Sequence, residues 1–473
     1  MPGNSARDNG TNPGSNIMNH RHIYMKTTPS AAASSIHAQA IAAIIIILTA
    51  FGCTRPGIYD ISSMGAVGDG MTDNTEIINE AVRLCHEDGG GTVLIPAGDY
   101  LTGTVRLLAG VNLELADSAR LIASHDLSEY GSYIPTKDMS RYDSGVGSSN
   151  QNCVSDTMWC RALIVACEAD GASITGRGTI DGGHIFDPNG EENMRGPHTI
   201  IIAQSKGVTV EGICINKASN YAILAYDIAD ASFSNLTITE GWDGIHISGA
   251  ENSYIENCDI RTGDDCIAGG YWEDFRISSC RLNSSCNGIR MIMPSQNLAI
   301  EGCQFEGPGE YAHRTSSSQG RPMLHAISLE PGGWGPAPGE MKGIVIRNCT
   351  ADSVLSPLSV TLQEDNSCRD ILVENYNARN CYRMALSVKS WGTARTGNVT
   401  IRKCEFEFAG IDDPSLPAKM EKLSFDKWPF FPSWGAYFRN VDNVLIEDTE
   451  FSVSGKDYRR DIICDNVENF SME

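Results

Sequence analysis

Five six-residue segments decide the fold: VEGICI (210–215), FSNLTI (233–238), IENCDI (255–260), ISSCRL (277–282) and IEGCQF (300–305). They follow one another at steps of 23, 22, 22 and 23 residues. The pattern continues in segments that begin at residues 346, 373, 401 and 446. The steps of 46 and 45 residues, to 346 and 446, indicate about two turns each, and the longer steps require loop insertions. Self-similarity at this period marks a solenoid of stacked coils rather than a globular core.

Each segment predicts two short strands joined by a bend. Its apolar residues alternate, as they do in a strand with one face inward. The third position is Gly212, Asn235, Asn257, Ser279, Gly302, Asn348 or Asn375. Gly and Asn tolerate a left-handed backbone, so this position predicts the bend. The fourth position predicts an inward ladder of small apolar side chains: Ile213, Leu236, Cys258, Cys280, Cys303, Cys349 and Cys404.

The fold class follows from these units. A leucine-rich repeat has a similar period, but its Leu-rich consensus and helical segment do not match these sequences. Forty-seven glycines and an aromatic content of 7% also suit a long β solenoid. We therefore predict an all-β chain, a single-stranded right-handed parallel β-helix, with residues 54–473 as one domain.

The net charge and the cysteine content limit the possible partners and disulfides of this chain. A formal net charge of −23 argues against nucleic acid as a partner, because phosphates require a basic surface. A strongly anionic polymer would require basic residues concentrated in a cleft. Of the 16 cysteines, at least five occupy the inward ladder, where Cys acts as a small buried hydrophobe. Cys153 and Cys160 remain a candidate pair across a loop.

The first 53 residues are predicted to be a leader. IAAIIIILTA (41–50) is an apolar run too short to span a membrane comfortably, and it is typical of an export signal. AFGC (50–53) resembles a bacterial lipobox, which makes Cys53 the lipidation site, and Met25 is then the expected start, ahead of Lys26. We expect a cell-envelope lipoprotein of the outer membrane or periplasm that touches membrane only through its lipid; a freely secreted protein is the alternative.

The N-terminal part of the domain predicts a capping helix. Asp73 and Glu76 have capping-box spacing, apolar residues recur at helical spacing over residues 77–85, and three glycines follow at 89–91. Such a helix would cover the open end of the solenoid. The long irregular segment 127–160 is expected to build one side of a cleft.

Candidate catalytic residues recur with the repeat. Asp243, Asp265 and Asn287 each lie seven residues after the fourth position of a unit, with Trp242 and Asp264 beside them. Stacked coils place neighbouring backbones about 4.8 Å apart, close enough for like charges to raise the pKa of one carboxyl group. A short carboxylate separation would favour a covalent nucleophile, and turn capping is the structural alternative for Asp and Asn.

Several motifs also occur in a known order. They are GAVGDG (65–70) with DNT (73–75), GTVLIPAGDY (91–100), GRGTIDG (176–182), WDGI (242–245) and TGDDCI (262–267). Over residues 58–300 the chain resembles the polygalacturonase-like enzymes of glycoside hydrolase family 28, which have the pectin-lyase-like solenoid. The resemblance implies an inverting hydrolysis without metal or cofactor. Asp264 would be the general acid, and Asp243 and Asp265 would hold and deprotonate the water.

Departures from the family affect the expected substrate. The family's Gly-His-Gly motif falls on residues 286–288, where Asn287 replaces the His. The Arg-Ile-Lys motif that binds a uronate carboxylate corresponds to residues 290–292, which keep Arg290 without the Lys. We therefore expect a related pectic or neutral glycan, such as a rhamnogalacturonan or a galactose-containing side chain, in preference to polygalacturonate.

Further residues are predicted to bind the sugar chain. His246 and Arg290 lie three positions after the column residues and are expected on the same face. Trp272 and Trp334 are expected in loops, where aromatic side chains stack on sugars. The predicted substrate-binding set is Asn287, Arg290, His246, Trp272 and His325.

Two other classes of function stay open at this stage. A Ca²⁺-dependent polysaccharide lyase would use Asp243, Asp264 and Asp265 as metal ligands and Arg290 as base. A non-catalytic glycan-binding solenoid is the other alternative. The chain is expected to act as a monomer on a polysaccharide or oligosaccharide.

Overall fold

Parallel strands stacked into coils make up almost all of the described chain. This computed structural model describes residues 57–143, 153–313, 321–382, 385–423 and 431–473. The predicted leader, with Met25 and Cys53, lies outside the described residues. No helix within the described ranges is long and apolar enough to cross a membrane.

The described strands form two sheets whose neighbours pair in parallel. One sheet has 23 strands: Gly57–Asp60, Gly91–Ile95, Val105–Leu107, Val111–Leu115, Ala162–Cys167, Ser173–Gly176, His198–Lys206, Thr209–Glu211, Ile223–Ala229, Ser232–Ser234, Ile245–Glu251, Tyr254–Glu256, Ile267–Ser278, Asn287–Met293, Gln296–Glu301, His325–Leu329, Gly339–Arg347, Ser356–Leu362, Asn366–Glu374, Leu386–Ser390, Thr396–Arg402, Ser433–Glu447 and Arg460–Met472. The other has 13: Asp69–Asp73, Gly98–Thr102, Ala119–Ala123, Thr179–Asp181, Cys214–Asn216, Thr237–Thr239, Asp259–Thr262, Arg281–Ser284, Gln304–Glu306, Thr350–Asp352, Asn377–Cys381, Glu405–Phe408 and Glu450–Val453.

The register confirms the aligned positions but corrects the two longest steps. Ile300 pairs directly with Ile346 and Ile401 with Ile446, so each of these steps is one coil with a loop insertion and not two turns. The first positions of successive units pair directly: Phe233 with Ile255, Ile255 with Ile277, Ile277 with Ile300 and Ile300 with Ile346. All seven predicted bend residues have a left-handed backbone, with φ between 50° and 78°. Each unit therefore turns the chain at the same place, and the residues after the bend stay in line from coil to coil.

The cysteine ladder is confirmed as part of the core. Cys258, Cys280 and Cys303 are almost fully buried and lie among Ile and Phe side chains. Each of the 15 described cysteines is unpaired in this structure, Cys153 and Cys160 included. The candidate disulfide across that loop is thus not formed.

The predicted capping helix spans Thr75–Glu87 and packs against the first strands of the solenoid. It buries Ile78, Ala81, Val82 and Cys85 on one face. Its N-cap position is Asn74, which makes no side-chain capping hydrogen bond, while the Asp73 side chain accepts hydrogen bonds from the Thr75 backbone N–H and hydroxyl. The other described helices are the α-helix Leu416–Met420 and the short 3-10 turns Ile61–Met64, Leu127–Glu129, Ser140–Tyr142 and Glu191–Asn193.

The described part of the 127–160 segment packs on the face that carries the acidic column. Tyr133, Tyr142 and Trp159 form a second hydrophobic cluster with Tyr226 and Trp242. Trp159 also donates a hydrogen bond from Nε1 to the Tyr226 hydroxyl at 2.9 Å. This packing anchors the segment beside Trp242, which precedes Asp243 in the chain.

Candidate active site

The predicted column of polar side chains is present, with one member on each of three successive coils. Backbone hydrogen bonds join the coils: Gly244 N donates to Asp265 O, and Cys266 N donates to Asn287 O. The Asp265 N–H donates to Asp243 Oδ1 at 3.2 Å. The Asn287 side-chain amide donates to Asp265 Oδ1 at 2.8 Å. The three side chains are therefore held in line by the same stacking that builds the fold.

Asp264 points to a different set of partners. Its Oδ2 lies 3.2 Å from His313 Nε2 and 3.7 Å from Arg195 Nη2. Arg195 in turn stacks over the Trp242 ring, with Cζ 3.7 Å from its centroid. The Trp242 and His313 rings are perpendicular, with centroids 5.4 Å apart, so the residue that precedes Asp243 packs against both partners of Asp264.

The neighbouring carboxyl groups of Asp264 and Asp265 differ in charge state. Burial disfavours ionisation of Asp264, but the His313 hydrogen bond and the Arg195 and Arg290 charges outweigh it and lower its pKa to about 2. Burial raises the pKa of Asp265 to about 7, against the Arg290 charge. At neutral pH Asp264 is therefore an anion, whereas Asp265 exchanges a proton readily.

Asp264 stabilises the protonated form of His313. Burial works against a charged imidazole, but the hydrogen bond and negative charge of Asp264 raise the pKa of His313. The family resemblance implies a protonated Asp264 as general acid. The surroundings in this structure favour an ionised Asp264 with the proton on His313 instead, because the His313 hydrogen bond and the Arg195 charge stabilise the carboxylate.

Asp243 and His246 form the other end of the column. His246 Nδ1 and Asp243 Oδ2 share a hydrogen bond of 2.8 Å, and the imidazole stacks on Tyr221. Burial lowers the pKa of His246 to about 4, so the ring is neutral near pH 7. Burial and the Asp264 charge hold the pKa of Asp243 well above its ordinary value. His246 therefore positions Asp243 and does not bind an anionic sugar as a cation.

Arg290 lies beside Asp265, as predicted. Its Nη1 is 3.7 Å from Asp265 Oδ2, and its Nε donates to Glu330 Oε1 at 2.6 Å. Burial opposes its charge, but Asp265 and Glu330 raise the pKa of Arg290 above its ordinary value. The guanidinium also lies under Trp334, 5.0 Å from the ring centroid. His325 Nδ1 and Asn287 Oδ1 share a hydrogen bond of 2.9 Å, which extends the column by one coil.

A cavity of about 250 Å³ brings these groups together. Its lining includes Asp243, Asp264, Asp265, Arg195, Arg290 and His313. A larger cavity of about 610 Å³ lies along the 13-stranded sheet, with Glu306, Asp352 and Arg379 among its residues. The ionic side chains there pair in exposed salt bridges. We take the smaller cavity as the active site because only there do buried carboxyl groups have divergent pKa values.

Trp272 corrects the sequence analysis. It lies within the strand Ile267–Ser278 and not in a loop, and only 1% of it is exposed. Its Nε1 donates to Ile247 O at 2.8 Å, and its ring stacks on Phe275. Tyr271 has a left-handed backbone with φ of 51°, and this bend turns the following side chain into the core. Trp272 therefore stabilises the fold and does not bind sugar, whereas Trp334 is 39% exposed and lines the cavity.

The buried Trp272 and the exposed Trp334 are expected to differ in which property a substitution changes, stability or KM. We expect Trp272→Ala to lower the free energy of unfolding by about 3–5 kcal/mol, because it leaves a large cavity in the core. Trp272→Phe is expected to recover much of this stability and to leave KM unchanged. Trp334→Ala should leave stability within about 0.5 kcal/mol and raise KM. Urea unfolding measures the stability of these variants, and steady-state kinetics measures their KM. A raised KM in a folded Trp272→Phe variant would support the sequence-based prediction that Trp272 binds sugar.

Sequence reasoning missed Arg195, His313 and Glu191. His313 lies in the insertion between Gln304–Glu306 and His325–Leu329, where the period is broken. Arg195 and Glu191 lie in a loop between Thr179–Asp181 and His198–Lys206. Burial raises the pKa of Glu191 to about 7 despite the nearby Arg195 charge. No repeat spacing relates these positions to the Asp column.

One group of side chains has the spacing of metal ligands. Ligand atoms of Asp264, Asp265 and Cys286 lie within 4.8 Å of one another. Burial and the charges of Asp265 and Asp264 raise the pKa of the Cys286 thiol, so it is not a thiolate at neutral pH. Because Arg195, His313 and Arg290 face the two carboxyl groups, a divalent cation would compete with three positive groups. The donor set does not fit a Ca²⁺ site.

Comparison with known proteins confirms the resemblance to polygalacturonases. A family model described as "Right handed beta helix region" matches residues 198–324. A "Probable polygalacturonase" of Vitis vinifera is 28% identical over 267 residues, which cover 53% of this chain and 50% of that protein. An "Exopolygalacturonase" of Zea mays is 27% identical over 228 residues, 45% of this chain and 49% of that protein. The chain spans about half the length of these curated relatives.

Solved structures confirm the fold. An exopolygalacturonase from Thermotoga maritima superposes with a TM-score of 0.60 and 17% identity, covering 83% of this chain and 92% of that one. The A-module of a mannuronan C-5 epimerase from Azotobacter vinelandii gives a TM-score of 0.57 and 14% identity, covering 88% and 100%. At such low identity these likenesses establish the right-handed parallel β-helix alone.

Proposed function

We propose that this chain, a parallel β-helix with polygalacturonases among its sequence relatives, is a glycoside hydrolase that cleaves a pectic polysaccharide. The observation that carries the proposal is the split between two adjacent carboxyl groups. The surroundings lower the pKa of Asp264 to about 2 and raise the pKa of its partner His313, whereas the pKa of Asp265 is raised to about 7. Hydrolysis of a glycosidic bond requires one group that gives a proton and another that takes one.

The proposed proton path starts at His313. As the glycosidic oxygen leaves the anomeric carbon, it takes a proton from the Asp264 carboxyl group, which receives its own from His313 Nε2. Water attacks the anomeric carbon, and its proton passes to ionised Asp265. Asp243, held by His246, orients that water. Exchange with solvent then deprotonates Asp265 and returns a proton to His313.

The charges in the cavity favour a sugar of low charge at the cleavage point. Arg290 is bound to Glu330 at 2.6 Å. Arg195 pairs with Glu192 at 3.1 Å and with Glu191 at 3.4 Å. A uronate carboxylate would have to compete with these protein carboxylates for each arginine. This supports a rhamnogalacturonan or a neutral side chain in preference to polygalacturonate.

The ionisation of Arg290 disfavours the lyase alternative. A β-elimination base must lose its proton before it can abstract another, and the charges of Asp265 and Glu330 keep Arg290 protonated. The carboxylates that would hold Ca²⁺ are occupied by cationic side chains, as described above. A non-catalytic role leaves the divergent pKa values of Asp264 and Asp265 without a purpose.

The test is incubation of the purified protein with a panel of pectic and neutral polysaccharides, with and without EDTA. Reducing ends and the ultraviolet absorbance of unsaturated products are read together. We expect reducing ends without absorbance, unaffected by EDTA, and faster release from rhamnogalacturonan or galactan than from polygalacturonate. Absorbance that EDTA abolishes would indicate a lyase, and silence on every substrate would indicate a binding protein.

We further propose that the protein is exported as a monomeric lipoprotein anchored through Cys53. The apolar run 41–50 and the AFGC sequence at 50–53 support this proposal. Mass spectrometry of the mature N-terminus tests it, since a diacylglyceryl adduct on Cys53 is expected and an unmodified secreted N-terminus would contradict it.

A further inference from the structure

A second cavity, of about 480 Å³, adjoins the active site. Ile292 and Trp334 line both cavities, so the two lie side by side. We call the second one the side pocket. Its remaining wall is formed mostly by Met293, Tyr271 and the loop residues 335–338. No step of the proposed hydrolysis uses it.

The side pocket lies across the direction in which the coils stack. Arg290 and Met293 belong to the same strand, Asn287–Met293, with Arg290 at the active site and Met293 at the side pocket. Three residues of strand separate them by about 10 Å along one coil. A polysaccharide that follows the column of Asp243, Asp265 and Asn287 runs from coil to coil. The side pocket therefore opens beside such a chain and faces a branch or substituent of it.

The lining of the side pocket is mostly apolar. Ile292, Met293 and Ala337 are buried and form a small hydrophobic cluster against Tyr271. Pro336 and Pro338 add rigid apolar surface. Arg141 lies at this pocket, but its guanidinium stacks over Tyr271 at 4.4 Å and over Tyr142 at 5.3 Å. An apolar group gains from this lining, whereas a carboxylate would lose hydration against the apolar wall and would face the Asp143 carboxyl group at the same pocket.

Size and shape indicate what the side pocket holds. A protein cavity of about 150 Å³ is enough to hold benzene, so 480 Å³ exceeds the need of a methyl or acetyl group. Tyr271 and Trp334 offer flat surfaces for a planar ring. Ser140 and Asp143, at the same pocket, provide acceptors for a phenolic hydroxyl. We propose that the side pocket binds an aromatic acyl ester carried by the sugar chain, of the hydroxycinnamoyl type; this rests on the proposed function in that the sugar lies in the active site.

The first test measures binding without any turnover. Methyl 4-hydroxycinnamate is titrated into the full-length protein by calorimetry. We expect saturable binding that Ala337→Trp, which fills the side pocket, weakens at least tenfold. Ala418→Trp, which adds the same group on the exposed face of the helix Leu416–Met420, is the matched control and should bind as the unmodified protein does. Ala337→Glu provides a second, polar variant if the larger one folds poorly.

The second test compares one oligosaccharide before and after removal of its hydroxycinnamoyl ester. We expect kcat/KM to be at least tenfold higher for the ester, and Ala337→Trp to bring the ratio close to one. Hydrolysis without preference, together with no binding of the methyl ester, would overturn the side-pocket proposal and leave the hydrolase proposal standing. Binding of the methyl ester without hydrolysis of any substrate would overturn the hydrolase proposal and leave the side pocket as a binding site for the aromatic ester. An equal loss of kcat/KM on the esterified and de-esterified substrates in Ala337→Trp would also overturn the side-pocket proposal.

Discussion

Asp264→Asn and Asp265→Asn are each expected to lower kcat by about 10²–10⁴-fold, the range of a general acid or base. An amide at position 264 would still lie near His313 but could not pass a proton to the leaving oxygen. An amide at position 265 cannot accept the proton of the attacking water. Both side chains keep their size, so the effect should appear in kcat with KM nearly unchanged.

Asp259→Asn is the matched control for these variants. Asp259 lies on the same coil, but on the other sheet, and it pairs with Arg261 at the surface. The activity of this control should stay within about twofold of that of the unmodified protein. Circular dichroism is used to check that all three variants fold. Full activity in Asp264→Asn or Asp265→Asn would remove these residues from the reaction.

His313→Gln is expected to change the shape of the pH profile as well as its height. The proposed mechanism needs ionised Asp265, whose pKa is about 7, so activity falls as the pH drops below that value. It also needs protonated His313, whose pKa is raised, so activity falls again as the pH rises through that pKa. The profile is therefore bell-shaped. Without His313, the proton is held by the Asp264 carboxyl alone, and the alkaline limb should move to lower pH while kcat falls about 10–100-fold.

A leaving-group series separates this proton-supplying role from a merely structural one. Aryl glycosides with acidic phenols need little protonation as they leave, so His313→Gln should be most impaired on poor leaving groups and nearly normal on good ones. Added imidazole should restore part of the lost rate. A uniform reduction at every pH and on every leaving group would mean that His313 only supports the fold near Trp242.

The repeat made most of the fold predictable. The period, the left-handed third position and the inward fourth position are properties of each short segment, and stacking copies them from coil to coil. For the same reason, the spacing from the fourth position to Asp243, Asp265 and Asn287 placed three side chains in one column. The hydrogen-bonded register between successive coils fixes where a residue of the repeat lies relative to the matching residue of the next coil.

The partners of Asp264 were not predictable in this way. His313 and Arg195 come from insertions, where the chain leaves the period and returns, so their place depends on tertiary packing around Trp242. The lowered pKa of Asp264 depends mainly on those same two residues, with a further contribution from Arg290. The predicted sugar-binding role of Trp272 was wrong for a local reason, because the bend at Tyr271 turns the side chain that follows into the core.

Proton NMR of the first products tests the central claim most directly. The unmodified protein is incubated in D₂O, with EDTA, on the oligosaccharide that the polysaccharide panel identifies as cleaved. We predict a saturated product whose new reducing end first appears with inverted anomeric configuration, and no product from Asp265→Asn. A retained configuration would contradict the proposed role of Asp265 as the base for water, and a vinylic proton signal from an unsaturated sugar would contradict hydrolysis itself.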